Sequence, residues 1–367
     1  MALSSQHKKS LAETAESRIL PLAASAPLLS DNLFRWYADK GRHLAWRARW
    51  PELTPAYHVF LSELMLQQTV VATVVPYFLR FCKRWPDIHA LARAPLDDVL
   101  IEWAGLGYYA RARNLHKAAQ LISSEYDGIF PDDYETLQTL PGIGPYTAGA
   151  IAAIAFDKPA IVIDGNIERV LMRLMGLKVQ VAEVKSVLRT AYAQIIPTTN
   201  RSDFPQALMD IGASICLPKN PRCADCPLKA QCRADKDGMA ADIPVKPVKI
   251  AKPVRTGAVY ILTAPDGLVM MYRRPQRGLL GGMLSFPSAG WDKSALAAPQ
   301  IEGLEDIVWQ KSQRVIRHVF THFTAEMSVY SAAAQPSFMP PEPYDWHRPI
   351  ADDWPRLMAK CFLDISS

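Results

Sequence analysis

Residues 140–156 read LPGIGPYTAGAIAAIAF. The run of small apolar residues predicts a helix over Thr147 to Ala155, with a second helix expected over Tyr134 to Leu140. A Gly-x-Gly turn that opens a helix leaves backbone N–H groups unpaired at the positive end of the helix dipole, which makes an anion site. Two helices about such a turn form a helix–hairpin–helix. Leu140, Gly142, Ile143 and Gly144 would then hold a DNA phosphate through the backbone, without reading base sequence. On their own these residues favour a plain interhelical turn; what tips the reading to the anion site is a group of cysteines further along the chain.

Those cysteines read Cys216-x6-Cys223-x2-Cys226-x5-Cys232, four of the six in the chain. Thiolates are soft ligands, and four in one short segment suit an iron–sulfur cluster or a structural zinc. Zinc sites more often pair two C-x2-C knuckles across a long spacer, whereas only one C-x2-C is present here, which favours the cluster. Cys82 and Cys361 stand apart and read as ordinary thiols.

From Ser30 to about Cys232 the pattern is helical: Leu96 to Trp103 and Asn114 to Tyr126 carry apolar residues at helical spacing, with glycine and proline turns between such pieces. Residues 233–256 mix Pro244, Pro247 and Pro253 with lysine and alanine, which suits an extended linker. Beyond them, Ala258 to Ala264 and Leu268 to Arg273 flank the turn Pro265-Asp266-Gly267, a hairpin signal. Thr321 to Tyr330 alternates in period two, with Phe323, Ala325, Met327 and Val329 on one face. The fold class is multi-domain: an all-α helix–hairpin–helix domain carrying the cysteine loop, then a smaller α+β domain.

At 367 residues the chain can bury a core in each. Hydrophobic content of 49% and charged content of 21% are those of a globular protein, and the net charge of +5 is compatible with nucleic-acid binding without establishing it. The chain lacks an apolar run of membrane-span length. Near the start, ILPLAASAPLL (19–29) follows Lys8 and Lys9, but Glu13, Glu16 and Arg18 intervene and spoil the order of an export signal. Residues 1–30 therefore read as a loosely ordered extension, with a mitochondrial presequence as the alternative that its acids disfavour. The expected location is the cytoplasm.

Two acids stand out. Glu63 lies in LSELMLQQT (61–69), a helical run otherwise without charge; a lone carboxylate there should be desolvated, its pKa raised, and fit to act as a general acid. A surface glutamate is the plainer reading and suits so apolar a neighbourhood poorly. Asp164, in IVIDGNIER (161–169), precedes Ile167, Val170, Leu171 and Leu174 and reads locally as a helix N-cap.

Taken together and in order, SELMLQQT, LGYYARARNLHKAA, LPGIGPYTAGAIAAIAF, DGNIERV, QALMDIGASIC and the cysteine loop resemble the MutY family of adenine DNA glycosylases, of the helix–hairpin–helix superfamily that includes endonuclease III. The resemblance is dense over residues 30–232 and looser over 255–365. It implies a six-helix barrel-like module at 55–160 containing the hairpin, and a [4Fe–4S] module built from 31–54 and 161–232. It also implies a Nudix-like domain at 257–367, an enzyme of base excision repair, and a monomer associated with the nucleoid, of the bacterial type.

By the same resemblance Glu63 protonates the adenine ring, Asp164 stabilises the oxocarbenium-like sugar, and Asn166 hydrogen-bonds near Asp164. Two carboxylates in unlike environments would thus cleave an N-glycoside. Gln68 and Tyr108 match residues that wedge into the duplex once the base has left the stack, while one of Tyr108 and Tyr109 is expected in the core. Arg111, Arg113, His116 and Lys117 read as a basic helix face, toward DNA or solvent. Where bifunctional relatives carry a Schiff-base lysine, Tyr146 stands, which implies base removal without strand nicking.

Arg42, Trp46, Arg47 and Gln206 match the adenine pocket, with departures: the family's Leu-Pro-Trp is Leu44-Ala45-Trp46, the loop 47–56 is longer, and Gln206 replaces a glutamate of some members. Phe320-Thr321-His322 matches the family's Phe-Ser-His loop that inspects 8-oxoguanine, and requires a loop rather than a strand. The segment Gly278 to Pro287 is Nudix-like, yet Ser288 to Ala297 lacks the glutamate-rich metal helix of a Nudix hydrolase. The substrate implied is double-stranded DNA with adenine opposite 8-oxoguanine or guanine. Competing readings are an endonuclease III-like glycosylase/lyase on oxidised pyrimidines, a non-catalytic DNA-binding protein, and a Nudix hydrolase.

Overall fold

The computed structural model describes residues 16–247, 251–275, 278–290, 304–305, 307–320, 322–349 and 354–365. Its backbone divides into two compact units, residues 1–248 and 249–367.

The first unit is helical among its described residues. In chain order the helices are α1 (Ile19–Ala24), α2 (Ala26–Lys40), α3 (Ala56–Leu66), α4 (Val71–Arg84), α5 (Ile88–Arg93), α6 (Leu96–Trp103), α7 (Ala110–Glu125), α8 (Tyr134–Thr139), α9 (Pro145–Phe156), α10 (Gly165–Met175), α11 (Lys185–Ile195), α12 (Asp203–Ser214) and α13 (Arg233–Lys236). Two of them are central because they are apolar on every side. In α3 every residue from Val59 to Met65 is buried, and in α9 every residue from Thr147 to Ala155 is buried. Small side chains let α9 approach its neighbours closely: a Cβ on Gly149 would sit 2.4 Å from the Ile161 carbonyl oxygen. Trp103, Phe60, Phe78 and Phe81 fill the space between helices, each large apolar side chain contributing about 1.5–3 kcal/mol by leaving water.

Two expectations change here. Residues 19–30 are no loose extension: α1 and the start of α2 bury Ile19, Leu22 and Leu29. Nor is the chain after Cys232 an extended linker, since α13 and a 3-10 turn at Ala240–Asp242 bury Ala234, Ala240 and Ile243 in the helical core. In both cases the apolar residues are spaced to cover one side of a short helix, within a composition that reads as irregular. Residues 1–15 lie outside those described.

The second unit contains a mixed sheet of seven strands: β1 (Val254–Thr263), β2 (Val269–Arg273), β3 (Leu284–Ser285), β4 (Ser288–Ala289), β5 (Gln310–Val319), β6 (Thr324–Ala333) and β7 (Asp345–His347). The order is β3-β2-β1-β6-β5, with β4 on β1 and β7 on β2; β1 and β6 run parallel and the other pairs antiparallel. Period-two alternation sends Val269 and Met271 to one core and Met270 to another. Helix α14 (Arg356–Ile365) covers the first of these through Leu357, Met358 and Cys361. The alternating face expected of 321–330 is present, with Phe323, Ala325, Met327 and Val329 buried.

Candidate active site

Glu63 is carried by the one charged position in a helix that is otherwise core, and its side chain is buried with only 8% exposed. Burial pushes its carboxyl up to about 7, the charge of Asp164 adds to the effect, and the Tyr146 hydrogen bond and the Arg47 charge oppose it. The Tyr146 hydroxyl, in the first turn of α9, hydrogen-bonds the Glu63 carboxyl, and its own pKa is raised well above that of a free phenol by burial and by both acids.

Asp164 caps α10. Its Oδ1 accepts from the backbone N–H of Asn166 at 3.0 Å and of Ile167 at 2.8 Å, and its Oδ2 accepts from the Asn166 side-chain amide at 2.8 Å. Three N–H donors on one side chain satisfy a carboxylate, so the capping and catalytic readings describe the same oxygens. Asn166 is fixed in turn by Arg169, whose Nη2 donates to its Oδ1 at 3.0 Å, and by Gly212 of α12, where an added Cβ would lie 2.5 Å from the Asn166 Cβ.

Glu63, Tyr146, Asp164 and Asn166 all line one cleft of about 700 Å³, together with Arg42, Trp46, Arg47 and Gln206. One residue that sequence reasoning missed organises the wall. Asp210 of α12 is fully buried and binds both pocket arginines: its Oδ1 accepts from Arg42 Nε at 2.6 Å and its Oδ2 from the Arg42 backbone N–H at 2.7 Å, while Arg47 Nη1 reaches both oxygens at 3.0 and 2.9 Å. The signal that could have found it is the one that marked Glu63, a single acid among apolar residues in QALMDIGASIC. Gln206 is 2% exposed and its Nε2 donates to the Ser202 carbonyl at 3.0 Å, which turns its carbonyl end into the acceptor. Replacing Asp210 by asparagine should cost about 2 kcal/mol of folding stability through the lost charge-assisted bonds. Urea unfolding checks it.

Gln68 and Tyr108 are exposed and both adopt left-handed backbone, φ 59° and 49°. For residues other than glycine that costs about 1–3 kcal/mol each and persists only where the surroundings enforce it. Tyr109 packs against the core, as expected of one of the pair. The basic face expected over 111–117 is not there: Arg111 and His116 are buried, Arg113 is half-buried, and only Lys117 is exposed. In the hairpin, Leu140 and Ile143 are core residues, so what they can offer a phosphate is backbone; Gly142 and Gly144 are exposed, and α9 begins with no side-chain cap.

Cys216, Cys223, Cys226 and Cys232 line one small cavity with Arg173. Arg173 is 1% exposed; its Nη1 lies 3.1 Å from the Cys216 sulfur and its Nη2 has no partner. A buried cation with an unsatisfied donor beside four thiols calls for a negative group, which suits a thiolate-held cluster. The residues therefore fit an iron–sulfur cluster.

In the second unit Phe320 and His322 lie in the loop between β5 and β6, closed by the Phe320 N–H donating to the Phe323 carbonyl at 2.8 Å. Phe320 stacks on Phe323 at 4.8 Å and meets His318 edge-on, while His322 is exposed. Thr321 lies outside the described residues, as does most of the stretch 288–297.

Residues 61–194 match the HhH-GPD superfamily of base excision DNA repair proteins, and residues 258–362 match the NUDIX domain. The chain is 37% identical over 256 residues to the adenine DNA glycosylase of Buchnera aphidicola subsp. Baizongia pistaciae, covering 70% of this chain and 72% of that protein. It is 33% identical to that of Buchnera aphidicola subsp. Acyrthosiphon pisum, covering 81% and 84%, and 32% identical to the human adenine DNA glycosylase, covering 83% and 66%. Among solved structures a thermostable thymine-DNA glycosylase shares the helical fold, with a TM-score of 0.51 at 23% identity over 58% of this chain and 98% of that one. A helical glycosylase region, a Nudix-like domain and relatives matched along most of their length agree: the chain belongs to the MutY family of adenine DNA glycosylases.

Proposed function

We propose that this DNA N-glycosylase removes adenine mispaired with 8-oxoguanine, or with guanine, from duplex DNA and leaves the strand uncut. The observation that carries the reading is the buried Glu63 carboxyl, tied to Tyr146 and sharing one cleft with Asp164. Glu63 protonates the adenine ring and makes it a better leaving group; Asp164, held as an acceptor by three N–H donors, stabilises the positive charge on the sugar. Asn166 keeps Asp164 in place. Tyr146 has no amine for a Schiff base, and instead orients the Glu63 proton.

Arg42, Trp46, Arg47 and Gln206 form the base pocket. Gln68 and Tyr108 fill the space left by the extruded adenine, and the backbone of Leu140, Gly142, Ile143 and Gly144 holds a phosphate. Phe320, Thr321 and His322 inspect the opposite base, with residues 257–367 as the recognition domain. Cys216, Cys223, Cys226 and Cys232 hold a [4Fe–4S] cluster, which would order the loop that carries them. The enzyme acts as a monomer in the cytoplasm, at the nucleoid.

The test uses duplexes with adenine opposite 8-oxoguanine, guanine or thymine, half of each sample treated with alkali. Cleavage only after alkali, strongest opposite 8-oxoguanine, is the expected result; prompt nicking at an oxidised thymine would instead favour the endonuclease III-like reading. The isolated protein should carry ~4 irons per chain, and a single zinc would overturn the cluster assignment.

A further inference from the structure

Arg111 has no place in the chemistry above, yet it is among the most heavily bonded side chains of the helical unit. It stands in the first turn of α7 with 8% exposed. Its Nη1 donates to the carbonyls of Leu64 at 3.0 Å, Met65 at 2.9 Å and Gln67. Its Nη2 donates to the carbonyls of Leu106 at 3.0 Å and Gly107 at 3.2 Å, and to the Thr69 hydroxyl at 3.2 Å. The guanidinium carbon also lies 5.3 Å from the Trp103 ring and 5.5 Å from the Tyr108 ring.

The partners fall into two groups. One comprises the last carbonyls of α3, which have no donor further along the helix, and the residues on either side of Gln68. The other is the pair of carbonyls just before Tyr108. One side chain thus ties together two loops about 40 residues apart in sequence, each of which carries a non-glycine residue in left-handed backbone.

We propose that Arg111 is the positioning residue that locks Gln68 and Tyr108 into a single rigid wedge. The proposal rests on the reading of these two residues as the elements that enter the duplex. Left-handed backbone relaxes unless it is over-determined, and relaxation would turn both side chains away from where they are held. Arginine is required because its planar fork holds Nη1 and Nη2 at fixed positions that reach oxygens on two sides, whereas lysine offers its donors from a single point. Burial lowers the guanidinium pKa to about 10, so the cation persists at neutral pH.

The test compares single-turnover adenine release by the full-length protein from two DNAs. In one the adenine is paired opposite 8-oxoguanine and must be expelled; in the other it stands opposite an abasic site, with no partner to be expelled from. The readout is the ratio of the two rates, which a merely structural loss would leave unchanged. Arg111→Lys should lower that ratio about 100-fold, the scale of a misplaced positioning element. Arg111→Gln serves in the same way should the lysine variant fail to fold.

Tyr108→Ala reports on the wedge reading itself. A ratio lowered in both variants supports the proposal. If it falls in Tyr108→Ala but holds in the Arg111 variants, the clamp is overturned and the wedge stands. If it holds in Tyr108→Ala, the wedge reading fails and the proposal with it.

Discussion

Glu63→Gln should lower single-turnover adenine release by ~10²–10⁴-fold, the contribution of a positioned general acid, while making the folded protein more stable above neutral pH. Glutamine keeps the shape and can still meet the Tyr146 hydroxyl, but it carries no proton to give. The pH dependence follows from burial. With its carboxyl pushed from 4.5 up to about 7, Glu63 is protonated below neutrality and the donor is lost as pH rises through about 7, so the native rate should fall there. Stability follows the same titration. The folded state binds a proton that the unfolded chain releases above about 4.5, so the stability this group contributes is fully present below 4.5 and is lost as pH rises through 7. Keeping the buried carboxylate ionised at pH 8 costs on the order of 3 kcal/mol. Unfolding of Glu63→Gln beside the native protein at pH 4 and pH 8 reads this: near-equal midpoints at pH 4, and a higher midpoint for the variant at pH 8.

Asp164→Asn separates the two roles that share one side chain. Asparagine is as good an N-cap as aspartate, and its Oδ1 can still accept from the Asn166 and Ile167 N–H groups, so stability should change by no more than about 1 kcal/mol. It has no charge to set against a developing oxocarbenium ion, and the amide Nδ2 would face the Asn166 amide, donor against donor. Adenine release should therefore fall by ~10²–10³-fold. Single-turnover rates and thermal unfolding on one preparation give both numbers. A variant that loses stability and rate together would return Asp164 to a structural cap alone.

These two acids also mark how far local sequence reaches. Glu63 is legible because α3 is apolar around it, every residue from Val59 to Met65 being buried. The same signal is present at Asp210, but its meaning lies in Arg42 and Arg47, which reach it from about 165 residues away. Arg111 failed for the converse reason. In ARARNLHKAA charges recur often enough to suggest a wet face, and only the carbonyls of two distant loops make a buried guanidinium affordable. Leu140 and Ile143 bury their side chains in the core, so the phosphate contact proposed for them is a backbone one, a division that residue type does not express. At 19–30 and 233–247, short helices with few apolar contacts resemble irregular chain until the surface they cover is known.

Whether burial beside Asp164 makes Glu63 a proton donor at neutral pH is read by titrating that side chain. With glutamate labelled at its carboxyl carbon, and Glu63→Gln used to assign the resonance, the chemical shift of Glu63 should move with a midpoint near 7. A midpoint at the ordinary value near 4.5 would rule Glu63 out as the acid, because the carboxyl would then be ionised throughout the working range and could not protonate the base.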